Sequence, residues 1–192
     1  MTAVATAAVG EASDGREIRE DVERETGTKV WNIDGNEEAR LSARGVLLGW
    51  PGSYGLVGDI GGSSLELAGL AEGRVGRRVS SPLGPLKLRE IKGGKKAIKA
   101  YVKDVVAGLH DDMGNAEAMR LFLVGGSWRA IARIDMERRG HPLTVLHEYR
   151  MTSHQVSKTA EYIEKSDLQE LRSRCHISDS RMSLVPIAVV VL

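Results

Sequence analysis

Residues 54–68, YGLVGDIGGSSLELA, constrain this chain more than any other stretch. Small and apolar residues lead into Asp59. Ile60, two glycines and two serines follow, and alternation resumes at Leu65, Glu66 and Leu67. The pattern reads as a buried strand, a tight turn and a returning strand, a hairpin with its chemistry at the tip. Gly61 and Gly62 are free to take positive φ and to leave backbone N–H groups open to a ligand. Successive N–H groups in such a turn form an anion-binding nest, and Ser63 and Ser64 add hydroxyl donors. Asp59, at the strand end, suits a hydrated Mg²⁺, which takes one or two carboxylates plus phosphate oxygens. Glu66, on the returning strand, is placed to orient or deprotonate a water. Composition by itself describes an ordinary glycine-rich hairpin equally well.

The rest of the chain sets bounds on the partners. Its 192 residues suffice for one good core or two small ones. A formal net charge of +1 gives no global signal for nucleic acid or membrane. Cys175 is the only cysteine, so no internal disulfide forms, which fits a reducing cytoplasm. The N-terminus lacks the basic start and apolar core of a signal peptide. The apolar run at 186–192 falls far short of the roughly 20 residues that a membrane span requires. The expected location is cytoplasmic.

Taken in order, residues 1–9 read as a strand or packed segment with nothing before them to pair with. A helix follows over 16–26, with Ile18 and Val22 inward and Gly27 ending it. A short strand covers 30–33. Asp34 or Asn36 caps the next helix, whose first-turn acids Glu37 and Glu38 suit the helix dipole. Residues 49–53 break that helix, and the lobe boundary is placed there. After the hairpin, strands continue over 70–79, and residues 81–88 form a loop running into a helix. Residues 92–109 make an amphipathic helix with Ile98, Tyr101, Val102, Val105 and Leu109 inward and a lysine face outward. A strand at 121–124 runs into Gly125, Gly126 and Ser127 and then a helix over 128–138. This second strand and glycine turn suits a phosphate, because helix N–H groups open onto it. Arg129 either reaches that anion or covers the helix surface. A last long helix spans 153–171. The histidines are spaced for neither a paired metal site nor a helix face.

Several of these segments resemble the exopolyphosphatase / guanosine pentaphosphate phosphatase family of the actin-like ATPase and sugar-kinase superfamily. GLVGDIGGSSLELA is similar to that family's second phosphate motif, with Ser63 in place of a third glycine. Residues 33–41, IDGNEEARL, resemble its glutamate motif, and VGGSWRAIA resembles its third glycine motif. The resemblance implies an α/β actin-like (ribonuclease H-like) two-lobe fold with an incomplete first lobe. The expected division is 1–50 for the remainder of lobe I and 51–192 for lobe II. It implies catalytic Glu38 and Glu66, with phosphates held by Gly61, Gly62, Ser63, Ser64, Gly125, Gly126 and Ser127, and a metal, Mg²⁺ or another divalent cation, at Asp59. The implied reaction is metal-dependent hydrolysis of the terminal phosphoanhydride of inorganic polyphosphate, with guanosine pentaphosphate as the alternative substrate.

Two departures stand beside the match. No D-x-G-S-N run, the family's first phosphate motif, occurs, and the family's phosphate-binding arginine falls on Gly10. The expectation is of a chain shortened at its N-terminus, whose first lobe leaves an apolar face for a partner, a homodimer included. A non-catalytic remnant that binds polyphosphate or a partner is therefore the rival reading. A kinase of the same superfamily is a third, disfavoured because Glu38 and Glu66 together match the phosphohydrolases.

Overall fold

The computed structural model describes residues 2–114 and 120–192. Strand β1 (Ala3–Ala5) leads through a short helix α1 (Ala7–Gly10) into α2 (Gly15–Thr26) and then β2 (Val30–Asn32). β1 and β2 pair in parallel, so the first strand finds its partner downstream in the chain. Gly27 ends α2 at φ +65, as the sequence suggests. The inward side expected for α2 is not covered: Ile18 and Val22 are 42% and 39% exposed. A two-stranded sheet offers too little surface to bury that stripe.

Helix α3 (Gly35–Gly49) then crosses onto the second sheet. Asp34 caps it, its Oδ1 accepting the Glu37 N–H at 2.8 Å. The second sheet contains β3 (Gly55–Ile60), β4 (Leu65–Ala71), β5 (Arg74–Ser81) and β6 (Leu121–Val124), in the order β5-β4-β3-β6. β3, β4 and β5 form an antiparallel meander, while β6 joins β3 in parallel. The β4–β5 turn places Glu72 and Gly73 at φ +52 and +68.

Strand register divides the side chains between two layers. Val57, Asp59, Glu66, Ala68, Ser80, Phe122 and Val124 share one face. The apolar members of that face pack under Ala39 and Ala43 of α3. Ile60 and Leu65 point the other way, into the larger core. That core is covered by α4 (Pro85–Arg89), α5 (Gly94–Met113), α6 (Gly126–Arg138), α7 (Ser153–Lys165), α8 (Leu168–Arg174), α9 (Asp179–Met182) and α10 (Val185–Val191). Leu83, Leu88, Ile134 and Val185 are fully buried there.

Two helix expectations are corrected. The single helix over 153–171 is two helices, broken at Ser166 and Asp167. The Asp167 carboxylate accepts the N–H groups of Gln169 and Glu170 at 2.8 and 2.9 Å, starting α8; aspartate is a far better cap than a helix-interior residue. Tyr101, expected inward on α5, is 37% exposed, because Val102 and Leu109 already fill the core side. No helix among the described residues is long and apolar enough to cross a membrane.

Candidate active site

Three carboxylates meet between α3 and the second sheet. Asp59 on β3 stands directly opposite Glu66 on β4. Glu38, in the first turn of α3, faces both: their charges, after burial itself, push its carboxyl up to about 7 from the usual 4.5. Its neighbour Glu37 points elsewhere and pairs with Arg40, whose Nε donates at 2.7 Å. The adjacent glutamates thus divide into one that closes a helix-surface pair and one that enters the cleft.

Glu66 is 1% exposed. Burial raises its pKa most, the Asp59 charge adds to that, and the Ser64 and Ser80 hydroxyls oppose both. Ser80 Oγ donates to Glu66 Oε1 at 2.8 Å. The approach of α3 to this pair requires glycine: a Cβ on Gly35 would lie 2.4 Å from Ser80 Oγ. Glu66 Oε2 and Glu38 Oε2 are both buried without a hydrogen-bond partner, a costly state that a proton, water or cation relieves. Ser42 of α3 donates to Asp59 Oδ2, which fixes that carboxylate against the helix.

The hairpin turn lies beside these acids. Gly61 N–H donates to Ser64 O at 3.0 Å, and Gly62 O accepts Leu86 N–H at 2.8 Å. Neither glycine takes the positive φ open to it. What the turn demands is close approach: a Cβ on Gly62 would lie 3.0 Å from Leu86 Cδ1, and one on Gly84 would lie 2.1 Å from the Ser63 carbonyl carbon. Ser63 is partly exposed and Ser64 is buried.

Left-handed backbone occurs instead in the second turn, where Gly125 has φ +111. A Cβ there would lie 2.6 Å from Ile60 O and 3.1 Å from Asp59 Oδ1. The two turns therefore converge at the end of β3. α6 starts at Gly126, two residues earlier than the sequence suggests, and Ser127 is buried in its first turn. Arg129 folds back, its Nε donating to Gly125 O at 3.3 Å. A cation that sequence reasoning missed sits here: a Cβ on Gly126 would lie 2.8 Å from Arg181 Nε. Arg181 comes from α9, far along the chain, and nothing in its local spacing marks it.

Residues 1–192 match the Ppx/GppA phosphatase family along their whole length. The chain belongs to that family. It superimposes with a TM-score of 0.86 on an exopolyphosphatase from Cytophaga hutchinsonii ATCC 33406, at 20% identity, covering 98% of this chain and 64% of that one. The Aquifex aeolicus PPX-GPPA enzyme gives a TM-score of 0.77 at 21% identity, covering 99% and 65%. An exopolyphosphatase-like protein gives 0.81 at 22%, covering 99% and 63%. No curated protein sequence matches. The Ppx/GppA fold is thus the actin-like α/β fold expected, and the chain spans about 64% of the length of the C. hutchinsonii structure it matches.

Proposed function

We propose that this chain hydrolyses the terminal phosphoanhydride of inorganic polyphosphate. The observation that carries this reading is the pair of buried, unpartnered carboxylate oxygens on Glu38 and Glu66 beside two glycine turns. A carboxyl held near 7 is matched to proton transfer at neutral pH. Glu38 takes the proton of an attacking water, and Glu66, held by Ser80, orients that water. Backbone N–H groups at 62–64 and 125–127 bind phosphate oxygens, the Gly61 N–H closing its own turn onto Ser64 O. Arg181 adds positive charge at the second turn.

The cluster also fits a divalent cation. Its donors are hard oxygens, and its crowded negative charge is unneutralised. Mg²⁺ uses one or two carboxylates plus substrate phosphates. Asp59 would hold it, and when bound it would neutralise phosphate charge. The lobe boundary after residue 50 belongs to the same proposal, with α3 as the element that carries Glu38 across.

The test is phosphate release by the folded chain from long-chain polyphosphate with Mg²⁺, beside guanosine pentaphosphate and the Glu38→Gln variant. Release from polyphosphate that disappears in Glu38→Gln supports the reading. Preference for the nucleotide would move the substrate to guanosine pentaphosphate. No release from a folded chain would favour the non-catalytic reading, for which Gly10 speaks: a Cβ on it would lie 3.1 Å from the Asn32 amide oxygen, with no cation supplied at that position.

A further inference from the structure

We propose that the face at the C-terminal end of α3 docks a protein segment that carries acidic residues around an apolar anchor. Residues 139–150 connect α6 to the approach of α7, and both ends of this segment are fastened to one buried acid. Asp135 is fully buried. It accepts the Tyr149 hydroxyl at 2.6 Å, the Thr159 hydroxyl at 2.7 Å and Arg138 Nη2 at 2.6 Å, and Arg139 Nη1 lies 3.5 Å away. These bonds and the charges of Arg138 hold its carboxyl below the usual range against the pull of burial. A buried charge with this many partners fixes the segment rather than leaving it a loose loop. Glu148, near its end, is held at φ +60, a left-handed conformation that costs a non-glycine residue free energy and collects at functional sites.

The segment encloses an open cavity of about 410 Å³ whose walls include Arg139, His141, Leu143, His147, Tyr149 and Arg150. Leu143 and Val145 are 61% and 60% exposed. The surface reaches the C-terminal end of α3, and the neighbouring Leu48 there is 86% exposed. The His147 ring packs against Gly49, and the Arg150 guanidinium lies 5.2 Å from the Trp50 ring centre. Apolar side chains beside Trp, Tyr and Arg are the make-up of a binding hot spot. The charge chooses the partner. One carboxylate, Asp135, is shared by two guanidiniums, and Arg150 lies over a ring instead of an acid. With Glu148 as the one acid among the described residues that line the cavity, the surplus is positive, so an acidic segment is complementary. The face lies about 16 Å along α3 from Glu38, clear of the carboxylate cluster.

The experiment is selection of a random displayed-peptide library against the full chain, with binding of the selected peptides then measured on the wild type, Arg150→Glu and Leu143→Asp. Both substitutions are at exposed positions, and thermal melts confirm that the variants are folded. The expected result is enrichment of Asp or Glu around Leu, Phe or Trp. Binding should weaken as salt rises and fall by about tenfold in either variant. Enriched peptides that are basic or neutral, equal binding to both variants, or no enrichment would overturn the proposal. So would self-association of the chain that Leu143→Asp abolishes, since the face would then belong to a second copy.

Discussion

Replacing Glu38 by Gln separates the electrostatics of the carboxylate cluster from the rest of the fold. Glu38 titrates at about 7 instead of 4.5 because burial, Glu66 and Asp59 all resist its ionisation. Folding therefore favours the protonated form. Below about pH 4.5 the group is neutral in both folded and unfolded chains, and the folded state has this contribution in full. Between 4.5 and 7 the unfolded chain ionises while the folded one holds its proton, so stability falls. Above 7 both are ionised and the loss levels off. The difference of 2.5 units (7 − 4.5) corresponds to roughly 3 kcal/mol at about 1.4 kcal/mol per unit. Glu38 is partly open to solvent, and screening reduces this to about 1–2 kcal/mol. Glu38→Gln cannot titrate, so relative to the wild type it should gain about 1–2 kcal/mol between pH 5 and pH 8. Urea unfolding at both pH values without divalent cation measures this directly. A wild-type-to-variant difference that stays constant across the range would refute the reasoning. Under the proposed function the same variant should lose about 10²-fold or more of its turnover, the scale of acid–base catalysis.

Ser80→Ala removes one hydroxyl donor to Glu66; it should lower kcat about 3- to 10-fold with KM little changed, read from initial rates of phosphate release. Gly125→Ala places a Cβ 2.6 Å from a backbone carbonyl at φ +111; a loss of about 2–3 kcal/mol is expected by chemical denaturation. Asp135→Ala leaves Arg138 and Tyr149 without their carboxylate acceptor and the Thr159 hydroxyl with Gln155 O alone. It should cost about 3–5 kcal/mol and speed amide exchange in residues 139–150, both absent if the pairs are merely superficial.

The hairpin at 55–71 was legible because a strand pattern, a glycine turn and a resumed alternation each point to the same element. So were the strand entering Gly125 and a helix cap at Asp34 or Asn36, of which the structure uses Asp34. The second core was less so. The break at Asp167 falls in the five-residue step from Ile163 to Leu168, and the competition between an aspartate cap and a helix interior decides it. The turn glycines show the limit most sharply. Sequence identifies Gly61, Gly62 and Gly125 as a class, but which one needs left-handed backbone and which needs closeness depends on Ile60 and Leu86 across the gap. In the carboxylate cluster, residue types were readable, whereas the choice of Glu38 over Glu37 came from the resemblance; the structure brings Glu38 to the cluster and pairs Glu37 with Arg40 one turn on. Arg181 was out of reach, since chain separation carries no trace of the contact.

The pairing of Asp59 with Glu66 also bears on how the chain reaches its native state. β3, β4 and β5 are joined by short turns, so they close at little entropic cost, while β6 must return over a long separation. The meander is thus the natural early structure, and it carries two acids directly opposite one another. Like charges in that position oppose strand pairing. Pairing of the meander should therefore be electrostatically braked by two residues of the candidate site, and refolding should run faster at mildly acidic pH or with a divalent cation present.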